Sequence, residues 1–133
     1  MNLVEKIALP NDLVLQIWDK SRVIASGTTK VEMAMVLTFA VREDYFSEPE
    51  DFQKVVDVFG PEISYERTKE RAFVSTSDSK RVFDELMEDF RRDLLPYILR
   101  TDFPARFAMS KLRDIRQNPY RYRDISGETG DVK

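Results

Sequence analysis

The stretch KVEMAMVLTFAVR, Lys30 to Arg42, decides the fold. Val31, Met33, Met35, Leu37, Phe39 and Val41 alternate with Lys30, Glu32, Ala34, Val36, Thr38 and Ala40. Successive side chains of a strand point to opposite faces, so this period of two predicts one long strand with a wholly apolar face. Its second face is small and mixed. That pattern suits an antiparallel sheet packed on one side and left to water, or a thin cover, on the other. Ser26-Gly27-Thr28 supplies the turn before it.

Upstream, Leu13, Leu15 and Ile17 alternate with Val14, Gln16 and Trp18, which predicts a second strand. Ile7 to Leu9 reads as an earlier strand folded back across the Pro10-Asn11-Asp12 turn. Downstream, Ser47-Glu48-Pro49-Glu50 has the form of a capping box, with Ser47 as the cap. Phe52, Val55, Val56 and Phe59 then fall on one helical face before Gly60-Pro61. Ile63 to Val74 looks extended, but its apolar positions change parity, from Ile63 and Tyr65 to Ala72 and Val74. One long bulged strand explains the slip, and a tight turn near Lys69-Glu70 is the competing reading.

Thr76-Ser77-Asp78-Ser79 reads as the cap of a helix whose stripe is Val82, Phe83, Leu86, Met87, Phe90 and Leu94. Pro96 ends or kinks it. Asp102 offers the next cap, and Ala105, Ala108, Met109, Leu112 and Ile115 form another apolar face before Asn118-Pro119. The predicted class is therefore α+β: an antiparallel sheet of three or four strands with two or three helices on one face, in the order β-β-α-β-α-α. Residues 1–118 read as a single domain and 119–133 as a C-terminal tail. Within that tail at least 126–133 is expected to be disordered, because Ser126 to Lys133 holds two Gly and one apolar side chain.

Composition narrows the chemistry. The 133 residues include no His and no Cys, which removes imidazole bases, thiolate nucleophiles, disulfides and the common zinc sites. No cofactor or metal is predicted. Met1-Asn2-Leu3-Val4-Glu5-Lys6 lacks the features of a signal peptide, and no apolar run is long enough for a membrane span, so the expectation is a cytoplasmic protein without a membrane partner.

Three groups could carry catalysis, and each has a structural explanation. Ser77 and Lys80 have the Ser-x-x-Lys spacing of a serine nucleophile and its base, yet they lie where a helix needs its cap. Asp84 and Glu88 share a face as two Mg²⁺ ligands would, but Arg81 with Glu85 and Glu88 with Arg92 make that face an ion-paired surface. Glu43-Asp44 is ordinary loop chemistry. No catalytic residue is assigned, and the expectation leans away from an enzyme.

Binding is the better prospect. The net charge of −3 hides an acidic stretch from Glu43 to Glu70, with nine acids against three bases. From Arg100 to Arg123 seven bases face two acids. Arg106, Arg113 and Arg116 lie on the last helix, and Tyr120-Arg121-Tyr122-Arg123 alternates rings with guanidiniums. Trp18 faces away from Leu15 and Ile17, with Arg22 close behind it. Trp is enriched at interface hot spots, and a dipolar chain can dock on its own copy. The sequence thus reads as a non-enzymatic interaction or accessory domain whose first candidate partner is a protein, including itself. RNA or single-stranded DNA binding through the basic Tyr/Arg end is the alternative, and a carboxylate or hard-metal enzyme comes third.

Overall fold

A computed structural model describes residues 1–10 and 13–122. It is α+β, with a five-stranded antiparallel sheet and five helices. The strands are β1 (Asn2–Ala8), β2 (Val14–Asp19), β3 (Arg22–Ala25), β4 (Thr28–Ala40) and β5 (Glu62–Ser75). The helices are α1 (Pro49–Phe59), α2 (Ser79–Asp93), α3 (Leu95–Ile98), α4 (Phe103–Gln117) and α5 (Pro119–Tyr122). Among the described residues no helix is long and apolar enough to cross a membrane.

β4 is the strand that KVEMAMVLTFAVR announced. Val31, Met33, Met35, Leu37 and Phe39 are buried, whereas Thr38 and Ala40 are exposed. β2, β3 and β5 all pair with it, and β1 pairs with β2. The extra strand relative to the expected three or four is β3. Leu15 stands opposite Leu37 and Arg22 opposite Lys30, so β2 and β3 run along β4 in one shared register as far as Val23, after which it shifts before Ala25. Side-chain chemistry interrupts them. The Ser21 backbone N–H donates to Asp19 Oδ1 at 2.9 Å, and the Ser21 hydroxyl accepts from the Glu32 N–H at 3.0 Å, in the place of a backbone carbonyl. Gly27, at φ 73°, turns the chain from β3 into β4.

Residues 62–75 form one strand, not the two arms of a hairpin. Phe73 has φ 60°, a left-handed backbone conformation of the kind that absorbs an extra residue in a strand. It falls where the inward parity changes, between buried Ile63 and Tyr65 and half-buried Val74.

The helix starts depart from the expected caps. α1 begins at Pro49, not at a Ser47 cap, because proline's fixed φ and missing N–H suit the first helical position. Thr76 to Asp78 form a 3₁₀ turn ahead of α2. Ser79 Oγ donates to the Thr76 carbonyl, and the Thr76 hydroxyl pairs with Thr29 at 2.8 Å. Asp102 occupies the cap position of α4 without a side-chain cap bond, and its carboxylate pairs with Arg106 instead. Pro96 lies in the first turn of the separate short helix α3.

The chain forms two compact units. In the first, residues 1–37 and 65–100, α2 lies on the face of the sheet that carries Met33 and Met35. Val82, Phe83, Leu86, Met87 and Phe90 are its buried stripe. Ion pairs tie α2 to two strands, Arg91 to Glu5 of β1 at 2.6 Å and Glu85 to Arg71 of β5 at 3.0 Å. In the second, whose described residues are 38–64 and 101–122, aromatic rings dominate. Phe39 meets Tyr45 and Phe107, Phe103 stacks on Phe107, and Phe46 meets Phe52. The Arg116–Asp51 ion pair, 2.8 Å, joins α4 to α1.

Phe73 provides a test of the strained backbone. Its side chain is 82% exposed, so little packing is lost on removing it, and a left-handed conformation disfavours any residue with a Cβ. Phe73→Gly should raise stability by roughly 0.5–1 kcal/mol after glycine's entropy cost, whereas Phe73→Ala should not. Urea unfolding midpoints check this. A lower midpoint for Phe73→Gly would mean that the ring itself stabilises the strand.

Candidate functional site

The basic end predicted from sequence is built on α4 and α5. Apolar spacing puts Ala108, Leu112 and Ile115 inside and leaves Arg106, Arg113 and Arg116 exposed. Their surroundings differ. Arg106 pairs with Asp102 at 3.1 Å and Arg116 with Asp51 at 2.8 Å, while Arg113 makes no ion pair with a described residue. Asp51 belongs to the acidic stretch, so part of the charge separation seen in sequence is closed within this unit.

Tyr120 is 81% exposed, but Tyr122 is buried. The Tyr122 ring lies edge-on to Phe59 with centroids 5.4 Å apart, its hydroxyl donates to Asp114, and the Arg121 guanidinium lies over the ring. Pro119 to Tyr122 is therefore a helical turn anchored on its own unit. Arg123 and the expected disordered segment 126–133 lie outside the described residues. The hydrogen bond from Tyr122, helped by one from Asn118, holds the Asp114 carboxyl below the ordinary carboxylate range, and the same bond raises the Tyr122 phenol.

Trp18 stands on the sheet face that α2 does not cover. Antiparallel register places Leu3 and Ala34 on either side of it, Gln16 beside Val36 and Val14 beside Ala8. Trp18 is half-buried, and its indole N–H donates to Gln16 Oε1 at 3.1 Å. Ala34 is only 3% exposed although it lies on this face, so the large side chains beside it provide the thin cover expected of β4's second face. Leu3 and Val14 remain exposed and Val36 half-exposed. At one end the patch carries both signs of charge: Arg22 reaches Glu32 at 3.5 Å and Lys30 reaches Glu70 at 3.4 Å.

The opposite face of the same unit holds a cavity of about 250 Å³ that sequence reading did not anticipate. Met33, Met35, Phe90 and Leu94 line it with apolar atoms, and Arg67, Lys69 and Asp93 add charge. The methionines read as ordinary core. Only the alternation of Arg67 and Lys69 after buried Ile63 and Tyr65, cations at positions of the inward parity, marked the strand as unusual.

The catalytic pairings considered from sequence are differently engaged. Lys80 bonds to Asp84 at 3.0 Å and Ser77 to Ser75 at 3.2 Å. Arg81 does pair with Glu85, at 2.8 Å, but Arg92 takes Asp89 and Asp93 in place of Glu88. Among the described residues no group of three or more metal-ligating side chains occurs. Comparison with protein-family models, curated proteins and solved structures found no match to this chain.

The Tyr122–Asp114 bond has a pH signature. A lowered Asp114 contributes stability above its unfolded value of about pH 4, lost as pH falls through the lower folded value. A raised Tyr122 contributes stability below about pH 10, lost as pH rises through the higher folded value. Tyr122→Phe should therefore lower the melting temperature at neutral pH and narrow its difference from wild type below pH 4 and above pH 10. A constant difference across that range would show that the bond contributes nothing.

Proposed function

We propose that this chain is a non-enzymatic interaction domain that self-associates through the uncovered sheet face around Trp18. The observation that carries this reading is the one-sided cover of the first unit. α2 buries the Met33/Met35 face, while Leu3, Val14, Trp18 and Val36 stand together on the other. An apolar patch around a Trp, with Gln16 and Lys6 paired within it and charged residues at one end, is the composition of an association surface. A second copy fits it because a two-fold interface must be complementary to itself, and this patch presents apolar side chains together with both charge signs, Arg22 and Lys30 beside Glu32 and Glu70.

The basic end supports association less well. Tyr122 packs on Phe59, and Arg106 and Arg116 already face carboxylates. A nucleic-acid surface using Arg106, Arg113, Arg116, Tyr120 and Arg121 would have to work without the second stacking ring.

Light scattering on the full chain should give a mass of more than one chain, and Trp18→Glu or Val36→Lys should reduce it to one while leaving the melting temperature close to wild type. A wild type that stays monomeric at all concentrations overturns the proposal. So does a mass that Trp18→Glu leaves intact but charge reversal at Arg106 and Arg113 reduces. Steeply salt-dependent binding of RNA or single-stranded DNA by a monomer would overturn it in favour of nucleic acid.

A further inference from the structure

The cavity on the α2 side of the first unit combines two properties that ordinary core packing does not need. Its apolar wall is dense and adaptable. Met33, Met35 and Phe90 are fully buried, Leu94 is half-buried where α2 ends, and unbranched methionine side chains can repack around a guest. The remaining lining is cationic in excess. Arg67 and Lys69 follow one another on the inward parity of β5, and neither makes an ion pair with a described residue.

The third charge offsets them only in part, because Arg92 is the stronger partner of Asp93 and Lys69 the weaker one. Asp93 is held by Arg92, whose Nε and Nη2 donate to its two carboxylate oxygens at 2.9 and 3.1 Å. Arg67 is pre-positioned: its Cζ lies 4.4 Å from the centroid of the Tyr65 ring, and Nη1 donates to the Glu66 carbonyl at 2.9 Å. That leaves other guanidinium N–H groups to grip an oxyanion, and a guanidinium fixed in advance loses less freedom on binding.

We propose that this cavity binds a small amphipathic monocarboxylate, its apolar body against Met33, Met35 and Phe90 and its carboxylate between Arg67 and Lys69. Size sets the class. A volume of about 250 Å³ corresponds to roughly eight waters at about 30 Å³ each, which admits a short aliphatic or single-ring acid and excludes most of a long-chain lipid. Polarity sets the rest. A bare inorganic anion would leave the methionine wall unused, and an organic cation would meet Arg67 and Lys69. The site lies on the face opposite Trp18, so it is independent of the association surface.

Octanoate is a suitable probe, read by the methyl resonances of the chain's five methionines in full-length protein labelled at those methyls. Octanoate should shift Met33 and Met35 saturably while leaving Met1 and Met109 in place. Octylammonium should not do so. The double substitution Arg67→Gln with Lys69→Gln should weaken octanoate by about tenfold or more, and an unchanged Met87 resonance in that variant shows that the fold is kept. The proposal is overturned if octanoate leaves Met33 and Met35 unmoved, if octylammonium binds equally well, or if the double substitution leaves affinity unchanged in a folded protein.

Discussion

The pairing of β4 on both of its edges is the constraint from which the rest of the fold follows. A strand paired with β2 and β3 over residues 28–30 and 33–37, and also with β5, has partners along most of its length, so its thirteen residues are fixed in register, and with them the direction of every side chain. Five large apolar groups, from Val31 to Phe39, are thereby committed to one face. Burying an apolar side chain of this size is worth about 1.5–3 kcal/mol, and that gain is available only if helices lie on this face. α2 does so in the first unit. In the second, Phe107 of α4 meets Phe39 near the strand's end.

The outer strands answer a different demand, because they carry unpaired backbone groups that can template aggregation. β5 deals with it through charge: Arg67, Lys69 and Arg71 alternate along its inward parity where Ile63 and Tyr65 lead, and Arg71 faces Glu85 and Asp89 of α2. β1 is tied by Glu5 to Arg91. The slip between Leu3 and Glu5 puts Glu5 on the helix face and Leu3 with Trp18 on the other. These ion pairs are largely exposed and individually weak, so their effect is to set which strands α2 reaches more than to hold it there.

Much of this was legible from residue order. The alternation in KVEMAMVLTFAVR, the stripes of α1, α2 and α4, and the parity change before Val74 are properties of spacing alone, and the structure carries each of them. Trp18 was separable from Leu15 and Ile17 for the same reason. What escaped was set by partners remote in sequence. β3 was hidden because Asp19-Lys20-Ser21-Arg22 looks like a turn, and two bonds to Glu32 of β4 keep that segment in the sheet: the Lys20 N–H donates to the Glu32 carbonyl, and the Glu32 N–H donates to Ser21 Oγ. Thr76 looked like a helix cap but meets Thr29, and Asp102 meets Arg106. Polar side chains have several partners of similar energy, and composition does not rank them.

The sequence by itself determined the fold class, the apolar faces and the exclusion of imidazole and thiol chemistry, because these depend on which residues are present and at what period. Tertiary structure alone decided that Asp51 sits on Arg116, that Tyr122 turns inward to Phe59 and Asp114, and that Arg67 and Lys69 line a cavity with two methionines. The physical reason is range. Periodicity is fixed by neighbours a few bonds apart, whereas the environment of a charge or a ring depends on distant segments meeting it, and that encounter exists only once the chain has folded.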